Sequence, residues 1–302
     1  MLFRFEKEQK IVDIGGVKIG GQPGQLPTVM IGSIFYYKDK IVNDEKTGTF
    51  EKDRAEEVLR AEAEISAKTG NPRIVDVCAS WPQAFEKYIE FVASAIEGPF
   101  SIDGTTADVR VAGLKYIAQA GLSNRVLYNS ITPEIGEAEI SALKETKVKS
   151  AVLLTLNSRN PTISGRLDVI DKLLDKAKQA DIENVLVDTT VLDIPDPGPA
   201  GMTCYLVKEK YGFPVGCGAH NAVDIWNRRK KLDPEAHLTS VVVANVFPII
   251  MGANFMLYGP IKHASKIYMP VAIVDAYVAY SAMQKYGARP STTHPIFRIF
   301  RT

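Results

Sequence analysis

Short apolar runs and longer amphipathic segments alternate along the whole chain. The apolar runs are typical of buried strands, which we predict at residues 28–34, 74–77, 100–103, 126–129, 151–156, 185–187, 215–218 and 255–257. Segments with helical periodicity follow them, at residues 53–68 (with Asp53 as the expected N-cap), 82–95, 108–120, 133–144, 167–180, 201–211, 221–251 and 271–286. A strand followed by a helix, repeated eight times, predicts a parallel sheet covered by helices.

This repeat favours a closed α/β barrel over an open sheet. A doubly wound open sheet usually carries a glycine-rich phosphate loop directly after its first strand, whereas Phe35 and two tyrosines follow the first strand here. The glycine cluster at residues 15–21 precedes that strand and is flanked by alternating residues, which predicts an N-terminal β-hairpin (about residues 1–25) that closes the bottom of the barrel. We therefore predict a single (β/α)₈ TIM-barrel domain over residues 1–302.

The composition indicates a soluble protein that binds neither nucleic acid nor membrane. The formal net charge is +1, and the longest basic run spans only residues 228–231, so there is no basic stripe for phosphates. The N-terminus lacks the apolar segment of a signal peptide, and no apolar stretch reaches the ~20 residues that span a bilayer. Three cysteines (Cys78, Cys204 and Cys217) are too few for a disulfide framework. We expect a cytoplasmic protein.

Polar residues end six of the eight predicted strands. They are Asp76, Asp103, Asn129, Asn157, Asp188 and the pair His220-Asn221. The active site of a TIM barrel lies at the carboxyl ends of its strands, so these side chains are expected to converge there. Each could instead cap the turn after its strand. Six of them at equivalent positions favour a ligand site.

The residue types in this ring favour a neutral heterocycle as the ligand. A pterin fits, because its N3–H and 2-amino group can pair with a carboxylate while its other polar atoms suit amides. A phosphate ester would call for helix-terminal glycines or an arginine clamp. Cys217 and His220 lie three residues apart with no further ligand nearby in the sequence, so we expect no bound metal.

Several blocks, in one order, resemble the MtrH family of tetrahydromethanopterin S-methyltransferase subunits and its bacterial relatives. They are DIGGVKIGGQPG at 13–24, GSIFYY at 32–37, TGNP at 69–72, PFSID at 99–103, LYNSI at 127–131, His220-Asn221, LYGP at 257–260 and His294-Pro295. The resemblance covers essentially the whole chain and implies a barrel of the pterin-binding type.

The resemblance also implies an activity and roles for residues. The expected reaction moves a methyl group between N5 of a tetrahydropterin and a corrinoid (cobalamin) on a partner protein. The expected pterin contacts are Asp76, Asp103, Asn129, Asn157, Asp188 and Asn221. We expect Asn221 to stabilise charge at N5, with a water held by Asp103 or Asn129 taking the proton. His220 is either a competing general acid or base, or a histidine packed under the rim.

The identity of the pterin is left with alternatives. The loops at 157–167 and 192–201 are shorter than in the archaeal relatives, which favours tetrahydrofolate and a demethylase system. The alternative is the archaeal role itself, in which the barrel uses tetrahydromethanopterin in a membrane complex. Dihydropteroate synthase shares the scaffold but needs a cationic site for pyrophosphate, and a folate-binding protein without catalysis is a further alternative. We expect a transient, mostly polar contact with the corrinoid protein, and a homodimer through the apolar C-terminal segment.

Overall fold

The computed structural model describes residues 3–300 and contains a closed barrel of eight parallel strands. In chain order the elements are β1 (Ile11–Ile14), β2 (Val17–Gly20), β3 (Val29–Ile34), β4 (Val42–Asp44), β5 (Thr49–Phe50), α1 (Lys52–Thr69), β6 (Arg73–Ala79), α2 (Pro82–Ala95), β7 (Phe100–Gly104), α3 (Ala107–Gln119), β8 (Val126–Ile131), α4 (Glu137–Thr146), β9 (Ser150–Leu154), α5 (Ile163–Asp168), α6 (Ile170–Gln179), β10 (Asn184–Asp188), α7 (Pro197–Lys210), β11 (Val215–Cys217), α8 (His220–Lys230), α9 (Pro234–Ile250), β12 (Phe255–Pro260) and α10 (Ala264–Tyr286). The barrel runs from β3 through β6 to β12 in sequence order and closes between β12 and β3. The predicted TIM barrel is confirmed.

The barrel strands are buried on both faces, which explains their nearly continuous apolar sequences. In β6, Ile74 packs in the cluster that fills the barrel interior, whereas Val75 and Val77 pack in the layer beneath the helices. Successive side chains of a strand point to opposite faces. Asp76 and Cys78 therefore point to the same side as Ile74, into the barrel.

The β1–β2 hairpin packs against the amino-terminal ends of the barrel strands. Its Ile14 and Ile19 are buried in the interior cluster with Val29 and Phe255, which begin their strands. The Asn184 side-chain amide at the start of β10 also donates to the Asp13 carbonyl at 3.2 Å. The hairpin thus fills the end of the barrel opposite the predicted site.

One predicted helix, at residues 221–251, is two helices in the structure. Helix α8 ends at Lys230, and the φ of its C-cap Lys231, 53°, is left-handed. Asp233 then caps α9 by accepting a hydrogen bond from the Ala236 amide at 2.9 Å, and Pro234 occupies the first turn, where its missing N–H costs nothing. The chain turns here because a cap and a proline start a new helix.

Two other helix predictions need correction. The segment predicted at 167–180 is divided into α5 and α6 near Val169. The N-cap of α1 is Glu51 rather than Asp53, which lies in the first turn, where its charge favours the helix N-terminus. The hairpin of β4 and β5, which was not predicted, lies between β3 and α1. Among residues 3–300, no helix is long and apolar enough to cross a bilayer.

Candidate active site

A cavity of about 640 Å³ opens at the carboxyl ends of the barrel strands. We call it the mouth cavity. Five of the predicted site residues line it, namely Asp76, Asp103, Asp188, His220 and Asn221. Ser33, Tyr36, Cys78, Asp224 and Arg228 are also among its lining residues. The side chains that the strand-end pattern selected therefore meet mostly in one place.

Asp76 forms the floor of this cavity and is only 1% exposed. It lies inside β6, which continues to Ala79, two residues past the predicted end. In the strand register Asp76 stands beside Ser33 of β3 and Ser101 of β7, and both hydroxyls donate to its carboxylate, at 2.9 and 2.5 Å. The Cys78 thiol donates to the same carboxylate at 3.4 Å. These bonds compensate the cost of burying the group.

Asp103 stands one layer above Asp76 and is only half-buried. Its register partners are Cys78 and Asn129, and within residues 3–300 no hydrogen bond reaches its carboxyl group. Burial and the nearby charge of Asp76 raise the pKa of Asp103 to about 7, against the opposing charge of Arg110. A carboxyl of this kind can hold or release a proton near neutral pH.

Asp76, Cys78 and Asp103 are also a candidate set of metal ligands. One ligand atom from each lies within 4.8 Å of the others. However, burial and the two carboxylates raise the pKa of the Cys78 thiol well above its usual value. Metals bind the thiolate, so a metal ion bound here would have to displace the thiol proton. Spacing along the sequence does not reveal this set, because its members come from two strands.

Asp188 ends β10 on the opposite side of the mouth cavity. Its Oδ1 accepts a hydrogen bond from the Thr190 amide at 2.7 Å, whereas Oδ2 has no hydrogen bond among the described residues. Burial raises the pKa of Asp188 to about 6, against the Thr190 amide and the charge of Arg166. The group is therefore oriented by its own loop and has one oxygen left for a ligand.

His220 and Asn221 are the first residues of α8. Asn221 is exposed in the mouth cavity. The Nδ1 of His220 lies 3.0 Å from the Leu257 carbonyl, and because a carbonyl only accepts, Nδ1 carries the proton and Nε2 is an acceptor. Burial lowers the pKa of His220, with Asp224 acting in the opposite direction. Gly259 has a φ of +90° and admits the ring, since a Cβ there would come within 2.7 Å of Nε2.

Two predicted site residues are not among the lining residues of the mouth cavity. Asn157 lies three residues past the end of β9, and its side-chain amide donates to the Gly165 carbonyl at 2.9 Å. Its Oδ1 accepts from the Asn160 amide at 3.1 Å, so the side chain stabilises its own loop. Asn129 reaches the site only indirectly, by donating to Asp76 at 3.4 Å.

Sequence reasoning missed the pair that holds two loops beside the site. Arg166 is 1% exposed, and one of its terminal nitrogens lies 2.6 Å from both carboxylate oxygens of Asp196. The pair joins the segment after β9 to the segment after β10, which directly follows Asp188. No sequence signal reveals it, because the partners are thirty residues apart and belong to different loops. Ser33 and Ser101 were also missed, although Ser101 lies two residues before Asp103 and so shares its face.

Solved structures of dihydropteroate synthases share this architecture. The Yersinia pestis enzyme, solved in complex with a sulfonamide drug, has a TM-score of 0.63 at 13% identity over 89% of this chain and 99% of its own. The Xanthomonas albilineans enzyme with 7,8-dihydropteroate has a TM-score of 0.54 at 16% identity over 91% and 98%. The fold is thus a TIM barrel like that of these enzymes, with a polar cavity at the carboxyl ends of its strands.

The sequence comparisons identify the family. Residues 7–290 match the family described as "Tetrahydromethanopterin S-methyltransferase MtrH subunit". The corresponding tetrahydromethanopterin S-methyltransferase chain of Methanothermobacter thermautotrophicus is 40% identical over 99% of this chain and 100% of its own length. That of Methanocaldococcus jannaschii is 36% identical over the same shares. The chain belongs to the MtrH family of tetrahydromethanopterin S-methyltransferase subunits, which confirms the resemblance seen in the sequence.

Proposed function

We propose that this protein transfers a methyl group between N5 of a tetrahydropterin and a corrinoid that a partner protein carries. The mouth cavity is the single observation that carries this proposal. In a chain that belongs to a methyltransferase family, this cavity is lined by carboxylates and an amide that can bind a pterin. The relatives are named for tetrahydromethanopterin. We therefore propose tetrahydromethanopterin, the alternative of the sequence analysis, in preference to tetrahydrofolate and a demethylase system.

The donor groups of a pterin suit the carboxyls of the mouth cavity. Asp188 is ionised above about pH 6, and its Oδ2 together with the second lone pair of Oδ1 can accept from the N3–H and the 2-amino group of the pterin. Asp103 has both oxygens without partners in the described chain and can accept or donate, depending on its proton. These two residues are the proposed anchors, with Asp76 and Asn129 fixed beneath them.

The chemistry at N5 assigns the remaining roles. The corrinoid, when docked, supplies the metal that gives or accepts the methyl group. N5 gains a proton when the methyl group leaves and loses one when it arrives. The exposed Asn221 amide can hydrogen-bond N5 as its charge changes, which stabilises the transition state. Asp103, with a pKa of about 7, can exchange a proton with a water beside the pterin.

The electrostatics of the mouth cavity favour methyl transfer over the synthase alternative. Dihydropteroate synthesis displaces pyrophosphate, which requires cations near the leaving group. The lining residues include four aspartates, at positions 76, 103, 188 and 224, against the single arginine Arg228. This excess of negative charge suits a neutral ring with hydrogen-bond donors.

The proposal includes two protein partners. A corrinoid protein would dock transiently over the open mouth. A homodimer would use the C-terminal helix α10, where Tyr277 is 62% and Tyr280 is 58% exposed. Sedimentation of the wild type and of the double variant Tyr277→Ser/Tyr280→Ser tests the dimer. We expect the mass of two chains for the wild type and of one chain for the variant. A wild-type mass of one chain would exclude the dimer.

A methyl-transfer assay tests the function. Methylcobalamin and purified protein are mixed with tetrahydromethanopterin or with tetrahydrofolate, and the loss of methylcobalamin is followed by absorbance. We expect faster transfer to tetrahydromethanopterin.

Asp188→Ala should weaken pterin binding by roughly 2–4 kcal/mol in calorimetry, because buried pterin donors lose their partner.

Asp175→Ala is the matched control, since Asp175 is exposed on α6. It should bind the pterin like the wild type. The proposal is overturned if the wild-type protein neither binds nor methylates either pterin.

A further inference from the structure

A second cavity, of about 440 Å³, adjoins the mouth cavity. We call it the side cavity. Three of the four histidines of the chain line it, namely His220, His237 and His263, together with Asp224, Glu235 and Lys266. His220 and Asp224 line both cavities, so they form the wall between them. The proposed methyl transfer gives no role to His237 or to the side cavity.

Three of these side chains form a row that leads from the mouth cavity towards solvent. His220 and Asp224 are four residues apart on α8 and therefore lie on the same helix face. Asp224 Oδ1 lies 3.2 Å from the Nε2 of His237 on α9. The side chains of His237 and Asp224 are 29% and 40% exposed, whereas the His220 side chain forms part of the mouth wall. Proton carriers therefore extend from the mouth cavity to the surface.

The orientation of His220 suits it to pass a proton at one defined atom. Its Nδ1–H donates to the Leu257 carbonyl, which leaves Nε2 as the exchangeable position. Asp224 is the carboxylate that favours the protonated ring. The other charged groups of this region are Glu235, Lys262, Lys266 and Arg228, which lies four residues after Asp224 on α8. Burial and these two lysines lower the pKa of His263 to about 4, so His263 is neutral and does not compete for the proton.

We propose that the row His220–Asp224–His237, rather than the water beside Asp103, carries the proton of N5 between the mouth cavity and solvent. The proposal rests on the proposed methyl transfer. When the N5–methyl bond breaks, the methyl group passes to the docked corrinoid and the electron pair of the bond stays on N5, which takes the Nε2 proton of the His220 imidazolium. The ring that remains is neutral and protonated at Nδ1, and it regains a proton at Nε2 from solvent through His237 and Asp224. When the methyl group arrives at N5, the proton leaves along the same row. A side route is needed because the docked corrinoid protein covers the mouth.

The row is tested first in the free protein, without pterin or corrinoid. Histidine ring ¹⁵N NMR follows the titration of each histidine in the wild type and in Asp224→Asn. We expect His220 to be protonated at Nδ1 when neutral, and its pKa to fall when the carboxylate is removed. The ring ¹⁵N signals of His237 should also change, because its hydrogen-bond partner Asp224 is altered. A His220 titration and His237 ring signals that are both unchanged in Asp224→Asn would overturn the row, whatever the enzyme does.

Proton transfer is tested by single-turnover methyl transfer from methylcobalamin across the neutral pH range. In Asp224→Asn and His237→Gln we expect the rate to fall by roughly 10- to 100-fold, with an altered pH profile and unchanged pterin affinity. Added imidazole should restore part of the rate of His237→Ala. Glu235→Gln is the control, because Glu235 lines the side cavity but, within residues 3–300, has no hydrogen bond to the row.

The outcomes separate this inference from the proposed function. Wild-type rates and pH profiles in Asp224→Asn and His237→Gln, together with an active wild type, overturn the relay and leave methyl transfer standing. Equal losses in Glu235→Gln, with weaker pterin binding, also overturn it, since they indicate a structural role for the side cavity. A wild-type protein without methyl transfer overturns the proposed function, and the histidine titrations still decide whether the row exists.

Discussion

Asp76 and Asp103 are neighbours in the mouth cavity but differ in their surroundings. Asp76 is surrounded by donors, whereas Asp103 has none among the described residues and has a pKa raised to about 7. The ordinary pKa of aspartate is about 3.9. Between these values the unfolded chain binds fewer protons than the folded one, so the free energy of unfolding should fall as the pH rises.

Asp103→Asn should remove this contribution to the pH dependence. From about pH 4 to about pH 8, this contribution lowers the free energy of unfolding of the wild type. We expect the variant to lack this decrease, so that its stability relative to the wild type rises by at least about 1 kcal/mol over the same range. Urea unfolding at both pH values measures it. Asp175→Asn on the surface of α6 is the control, and parallel pH curves for the wild type and Asp103→Asn would contradict the shift.

Asn221 and His220 should be separable by kinetics. If Asn221 stabilises charge at N5 only in the transition state, Asn221→Ala lowers kcat and kcat/KM alike, by about 10²-fold, with pterin affinity nearly unchanged. The pH profile keeps its shape because an amide does not titrate. His220→Gln should instead change the pH profile. A wild-type rate in Asn221→Ala would exclude its role in the transition state, and an unchanged pH profile in His220→Gln would exclude His220 from proton transfer.

Residue types at strand ends predicted much of the mouth cavity, since an apolar run followed by a polar residue marks the end of a barrel strand. Asp103 and Asp188 were located in this way. Asn157 also follows an apolar run, but β9 ends at Leu154 and the asparagine belongs to a turn. Arg166 could not be found, because its position depends on a contact between two loops rather than on any local pattern.

At the scale of elements, the loops after β9 and β10 depend on the Arg166–Asp196 pair. Arg166 is almost fully buried, so Arg166→Met leaves the Asp196 carboxylate without its cation. We expect a loss of about 2–4 kcal/mol in free energy of unfolding, and weaker pterin binding because Asp188 lies at the start of the same loop. Chemical unfolding and calorimetry measure the two effects.

The matched control is Arg229→Met. Arg229 pairs with Asp193 in the same loop at 2.7 Å, but both side chains are well exposed. Exposed pairs contribute little, so the loss should stay below about 1 kcal/mol. Equal losses in the two variants would show that burial does not distinguish these pairs.

The elements that the sequence predicted best have both periodicity and clear ends. Helix α2 was predicted at 82–95 and has these bounds, because Pro82 starts it and an amphipathic pattern continues to Ala95. The fused prediction at 221–251 followed an apolar pattern across Asp233-Pro234, a cap and first-turn proline that begin α9. Strands β4 and β5 have three and two residues, too few to show a period of two.

At the scale of the molecule, Lys208 joins the closed end of the barrel to its wall. It is fully buried on α7, and its Nζ donates to the Gly21 carbonyl and to Asn254 Oδ1, at 2.9 and 2.8 Å. Burial lowers the pKa of Lys208 to about 7, below the usual value of about 10.4. The unfolded chain therefore binds more protons between these values, and the free energy of unfolding should rise with pH in this window.

Lys208→Met should abolish that rise. The variant should also be less stable at every pH, by about 1–3 kcal/mol for each acceptor left without a donor. Thermal unfolding at about pH 7 and pH 9 compares the slopes. Lys210→Met, exposed on the same helix, should keep the wild-type slope. A rise that persists in Lys208→Met would assign it to another group.

Strand β11 has three residues and joins each neighbour through only two register pairs, whereas β9 and β10 share five. A closed barrel has no edge strands, but detachment of β11 would create two, and it would break the fewest strand pairs. The new edge strands would be β10 and β12. Both are apolar and normally buried, so they would pair with strands of other chains. Asp188 ends β10, the strand before β11, and Asn221 follows β11 in the chain. A ligand bound by both residues would hold β11 in place, so binding of the substrate would also protect the protein against aggregation.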